Sequence, residues 1–172
     1  MNELEELKKL SKKLGEKILL KRNYDKEDYK NLRKLKELLR NNLEDLAGKV
    51  LSEESSEVLI AVAEALGILL IRGEVKSNKI RNIFGYVKKL EGETMTDEDE
   101  LNREIFYKLR LLSPKLAYTV GRASGKERDA LSLLKSYFDK LIDRIGNDKK
   151  KFKTFIDFFE SILAYHKYYD VK

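Results

Sequence analysis

The sequence predicts an all-α fold, a compact bundle of about six to seven helices, on three observations. One proline and nine glycines in 172 residues suit long helices and argue against a turn-rich β fold. Apolar residues recur at helical spacing over most of the chain, and strand-like alternation is hard to find. With 42% hydrophobic residues, a chain of this length can bury about 70% of its unfolded surface around one core. The expected organisation is an N-terminal helical hairpin over residues 1–50, followed by a basic helical core over residues 51–172, both in the same body.

In chain order, Leu4, Leu7, Leu14 and Ile18 form one helical stripe, and Leu32, Leu35, Leu39, Leu43 and Leu46 form a second. Arg22 to Asp25 make the turn between them, with Asp25 placed to cap the second helix. A helix from Ser55 or Ser56 to Arg72 is apolar nearly all round and reads as a central core element, ended by Gly73. Its small residues Ala61, Ala63, Ala65 and Gly67 would also permit close approach of a second subunit. Ser77 caps the next helix, with Ile80, Ile83, Phe84, Val87 and Leu90 inward, and Gly92 closes it. The acidic connection Glu93 to Glu100 complements the dipole of the helix that follows, with Asp97 as N-cap, and needs no metal ion.

The segment Ile105 to Lys126 should be helical with a complication at Pro114, which removes a backbone donor and crowds the carbonyl of Arg110. It either kinks there or restarts with Ser113 as N-cap. A helix from about Glu127 to Ile145 turns Leu131, Leu134, Phe138, Leu141 and Ile145 inward, and Gly146 and Asn147 break it. The last helix is aromatic on more than one side. Phe152, Phe155, Phe159 and His166 share one face, while Phe158, Tyr165 and Tyr168 crowd another, so this helix either sits between two layers of the bundle or turns its second face to a partner chain or to stacked bases.

The charge is distributed unevenly. Residues 1–72 hold 15 Lys and Arg against 14 Asp and Glu; residues 73–172 hold 21 against 16. The excess concentrates in two acid-free windows. Val75 to Leu90 carries Lys76, Lys79, Arg81, Lys88 and Lys89; Ile105 to Lys126 carries Lys108, Arg110, Lys115, Arg122 and Lys126. On a continuous helix Lys108, Lys115, Arg122 and Lys126 would share one strip, Lys115, Arg122 and Lys126 would keep a common face even after a restart at Pro114, and Arg81 and Lys88 would share a flank of the earlier helix. Two windows that omit acids point to a polyanion more than a solvated charge run does. Tyr118 is either a core tyrosine whose hydroxyl reaches the surface or a flat ring offered near the strip, and Gly121 beside Arg122 lets a backbone approach.

Catalytic chemistry finds little support. With no cysteine, disulfides, thiolate catalysis and cysteine zinc sites are excluded. The single histidine, His166, lies on an apolar aromatic face and reads as a packed side chain; Phe159, Glu160 and Ser161 upstream of it provide no ribonuclease-like arginine. One histidine cannot supply a di-metal bundle, and no serine elbow or phosphate-cradling glycine motif occurs. No catalytic residue, metal site or cofactor is expected. No apolar signal segment or membrane span is legible, so the expectation is a soluble, cytoplasmic protein that does not engage membranes.

Three blocks carry a family resemblance: KIRNIFGYV at Lys79 to Val87, LRLLSPKLAYTVGR at Leu109 to Arg122, and FKTFIDFFESILAYHKYY at Phe152 to Tyr169. In this order they resemble the small subunit of type III-A CRISPR–Cas effector complexes, the second subunit of the Csm system. Residues 1–72 do not share the likeness in the same way. The resemblance implies a non-catalytic helical bundle, stacked in several copies as the minor filament beside the backbone subunits and the large polymerase-like subunit. It also implies a clamp on crRNA and target RNA in antiviral defence. Lys79, Arg81, Lys115, Arg122 and Tyr118 match the blocks, whereas Lys88, Lys108 and Lys126 follow from the helical-face argument. The blocks carry Phe155, Phe159, Tyr165 and His166 as framework. The isolated chain could form a homodimer. A different class of reading, a helical protein–protein adaptor with incidental basic charge, would use the Val58 to Ile71 helix or the terminal aromatic face.

Overall fold

A computed structural model describes residues 2–52, 55–94 and 98–171. Among these the chain forms nine helices and no strand, beyond a single antiparallel bridge between Glu100 and Asp148. The N-terminal hairpin is α1 (Glu3–Leu19) and α2 (Lys26–Asn41). A reciprocal capping box starts α2: the Asp25 side chain accepts from the Asp28 amide at 2.9 Å, and the Asp28 side chain accepts from the Asp25 amide at 3.0 Å.

The second leucine stripe is divided between α2 and α3 (Leu43–Val50). Asn42 causes the break, because its side-chain amide donates to the Leu38 carbonyl at 2.9 Å and competes with the helical ladder. The central helix is α4 (Ser56–Arg72), which packs against α1, α2, α3, α8 (Gly125–Ile145) and α9 (Lys149–Tyr169). Its small residues Ala61, Ala63, Ala65 and Gly67 are buried in the chain's own core, so they offer no surface to a second subunit. Gly73 is not the left-handed residue that ends α4. Glu74 takes that conformation (φ 58°), while Gly73 admits the close approach of Ala130 on α8.

Helix α9 lies between layers, with α4 on one side and α5 (Ser77–Glu93) and α8 on others. Phe152, Phe155, Phe158 and Phe159 are fully buried, and Phe159 meets Phe138 and Phe84 edge-on at 4.8 and 5.1 Å. Of the second aromatic face, only Tyr168 is largely exposed, Tyr165 being half-buried.

Helix α5 has Lys76, not Ser77, at its N-cap position, makes no side-chain cap hydrogen bond, and runs one residue past Gly92. Asp97 lies outside the described residues; α6 (Arg103–Arg110) is capped by Asn102, whose side chain accepts from the Ile105 amide at 2.9 Å. The acidic connection pairs with the turn into α9, Leu101 N–H donating to Asn147 and Lys149 N–H to Asp99. After α6 the chain bends at Leu111 into α7 (Leu112–Arg122). Pro114 cannot donate to the Arg110 carbonyl, which opens the ladder there. The bend does not use Ser113 as a cap; its hydroxyl donates to Asp139 of α8 instead.

Candidate nucleic-acid interface

Helices α5 and α7 bring the two acid-free windows together. On α5 the positions Lys79, Asn82, Ile83 and Tyr86 share one side, and on α7 so do Lys115, Tyr118, Thr119 and Arg122, each at helical spacing. These two sides line a groove of about 880 Å³, floored by Ile83, Leu111, Leu112 and Pro114. No acidic residue lines it. The walls are held by separate packing, α5 on α9 and α6 and α7 on α8 and α6, and Lys79, Lys115 and Arg122 are the cations of the lining.

These cations differ in how they are held. Lys115 Nζ is 4.8 Å from the centre of the Tyr86 ring, and the Arg122 guanidinium is 5.6 Å from that of Tyr118. Arg122 also donates to the Tyr118 hydroxyl at 3.3 Å. Among the described residues neither Lys115 nor Arg122 has a carboxylate within ion-pair distance. Lys79 differs, its ammonium lying 2.6 Å from Glu127. Tyr86 is fixed in place because its hydroxyl donates to the Lys108 carbonyl at 2.6 Å. Tyr118 is 67% exposed, so it is not a core tyrosine.

The remaining predicted residues lie apart from this groove. The bend at Leu111 and the break at Ala123 and Ser124 separate Lys108, Lys115 and Lys126 onto three helices, so the continuous strip expected from one helix does not form. Lys108 bonds to Glu104 and Glu93 at 3.0 and 3.1 Å, which pushes its ammonium above the ordinary lysine value. Lys88 is held 2.6 Å from Glu91, which likewise raises it. Lys126 pairs with Glu74 at 2.6 Å and depresses that carboxyl. Arg81 is exposed and borders a smaller recess between α5 and α9, beside Phe84, Glu160 and His166.

His166 is buried, its Nε2–H donating to the Val75 carbonyl at 2.8 Å. Burial holds its pKa below the ordinary value, against the opposing pull of that hydrogen bond and of Asp170. Among the described residues no group of three or more His, Asp or Glu gathers to hold a metal ion, and no helix is long and apolar enough to cross a membrane. Tyr86, Asn82 and Thr119 are groove residues that sequence reasoning missed. For Tyr86 there was a signal: it stands seven residues, two helical turns, after Lys79 within an acid-free window.

Fold and groove together define an all-helical bundle protein that presents a basic, aromatic recess on one side. Residues 52–172 match the family model described as Csm2 Type III-A. One relative, the CRISPR system Cms protein Csm2 of Enterococcus italicus, is 30% identical over 106 residues, covering 59% of this chain and 72% of the relative. The chain belongs to the Csm2 type III-A family. The matched stretch starts just before α4, earlier than the resembling blocks, and leaves α1, α2 and α3 outside it.

Proposed function

We propose that this chain, a small subunit of a type III-A CRISPR Csm complex, is a non-catalytic clamp on crRNA and target RNA, acting in the cytoplasm in antiviral defence. It stacks in several copies as the minor filament, beside the backbone and large polymerase-like subunits. The observation that carries the clamp is the α5–α7 groove, with Lys79, Lys115 and Arg122 around it and no acid in its lining. Cations without carboxylate partners can neutralise phosphates at little cost in broken ion pairs, and on single-stranded RNA each such contact contributes about −0.7 to the log–log salt slope. Two such contacts, from Lys115 and Arg122, with Lys79 held by Glu127, give modest affinity to a lone subunit, and repetition along a filament multiplies them through effective concentration. Arg81, Lys88, Lys108 and Lys126 extend the basic surface outside the groove.

The test is the double substitution Lys115→Glu with Arg122→Glu, measured by RNA titration over a range of salt. Weaker binding and a shallower slope, with an unchanged circular-dichroism melt, support the clamp. Binding equal to that of the unmodified chain removes the groove from the mechanism.

A further inference from the structure

Resting on the clamp reading, we propose that the α5–α7 groove takes one unstacked nucleobase of the bound RNA, with the adjoining phosphates on Lys115 and Arg122. Neutralising phosphates requires only cations on a surface, and a convex helix face would serve. This site has more. It is a groove of about 880 Å³, open to solvent rather than enclosed, and within the range of about 300–1,000 Å³ of sites that take a small organic molecule. Its floor is apolar, and two aromatic rings border it.

The rings are placed differently, and each placement suits a planar guest. Tyr86 is anchored through its hydroxyl to the α6 backbone, so its ring is a fixed wall. Tyr118 stands out from α7 with most of its surface in water, and a base stacked on it would bury apolar area that the fold leaves uncovered. The cations already rest near the rings, Lys115 by Tyr86 and Arg122 by Tyr118. Each cation lies over one face of its ring, so a base stacks on the face of Tyr118 that Arg122 leaves open, with that charge close to the flanking phosphates. Asn82, exposed on α5, offers both a donor and an acceptor to a base edge.

The charge pattern selects among occupants. With three cations and no acid in the lining, the groove repels a basic segment and leaves the cations of the rim unanswered by a purely apolar one. A nucleotide unit matches both halves, its base on the floor and rings, its phosphates on the rim.

The experiment compares two fluorescently labelled oligoribonucleotides of equal length and phosphate number, one of uridines and one with internal uridines replaced by abasic ribose. Each is titrated with the full chain. The expected result is binding about fivefold or more tighter for the intact oligomer, with the same salt slope for both. Tyr118→Ala, at an exposed position, should bring the intact oligomer down to the abasic level, and Tyr118→Phe should retain the difference. Equal affinity for both oligomers, with a normal salt slope, overturns the base site and leaves the clamp standing. A preference that persists in Tyr118→Ala also overturns it, because the base is then read elsewhere. Failure to bind either oligomer at low salt overturns the clamp and the base site together.

Discussion

Gly67 of α4 lies directly under Tyr165 of α9: a methyl group at position 67 would come within 2.8 Å of the Tyr165 Cβ and 3.2 Å of the His166 backbone nitrogen. Two of the three atoms it would meet belong to the α9 backbone, so the contact cannot be relieved by turning a flexible side chain. Because α4 and α9 form the centre of the bundle, the overpacking must move a whole helix. Gly67→Ala is therefore expected to lower stability by about 1–3 kcal/mol, despite the better helix propensity of alanine. Denaturant titration should show a lower midpoint at an unchanged slope.

That glycine also shows what sequence can carry. An apolar helix with small residues at 61, 63, 65 and 67 is legible as closely packed, but which partner it packs against is not; at Gly67 the partner is the chain's own α9. Asp25 was legible as a cap because a capping box spans only four residues. The break at Asn42 was not, since Leu43 and Leu46 continue the leucine spacing across it. The candidate site divides in the same way. Lys115, Tyr118 and Arg122 share a helix face and can be read from spacing. Their meeting with Lys79 and Tyr86 depends on the bend at Leu111 and on tertiary packing. The partner of Lys126 lies 52 residues away at Glu74, and one of the two partners of Lys108 lies 15 residues away at Glu93, beyond what helical periodicity reports; the other, Glu104, stands four residues before Lys108 and is within its reach.

The hydrogen bond from His166 Nε2–H to the Val75 carbonyl fixes the neutral tautomer in a buried position. Burial lowers the folded-state pKa, with Arg81 adding to the effect. The stability this contributes is present above the unfolded value of about 6.5 and is lost as pH falls through the folded value, because the unfolded chain then binds a proton that the folded chain resists. Melting temperature should fall on acidification below about pH 6.5, and His166→Phe should flatten that part of the profile, at the cost of leaving the Val75 carbonyl without its donor.

At the alkaline end the buried tyrosines act in the opposite sense. Burial pushes Tyr24 up to about 12, with the Arg72 guanidinium, 3.8 Å from its ring centre, partly opposing. Tyr137, fully buried and donating to the Leu39 carbonyl at 2.7 Å, is raised further. A raised folded value means the stabilisation is complete below the unfolded pKa of about 10 and is lost as pH rises through the folded value. Tyr24 alone should cost roughly 2–3 kcal/mol by pH 12. Comparing the unmodified chain with Tyr24→Phe in chemical denaturation between pH 9 and 12 checks this, and the variant should lose less stability across that interval.

The eight predicted contact residues should not contribute equally to RNA affinity, because their ground states differ. Among the described residues Lys115 and Arg122 have aromatic rings and a hydroxyl beside them and no carboxylate within ion-pair distance. Lys108 is committed to two carboxylates, Lys88 and Lys126 to one each, and Lys79 to Glu127. A cation taken from an ion pair leaves a carboxylate near the incoming phosphate, and that repulsion offsets part of the gain. Single alanine substitutions at 115 and 122 are therefore expected to reduce the salt slope for single-stranded RNA by about 0.7 each, with smaller changes at 88, 108 and 126. Glu127→Gln carries the argument further: it frees Lys79 at the rim and should strengthen RNA binding and steepen the slope. Equal effects at all these lysines would mean that the ion pairs exert no control over which cations meet the RNA.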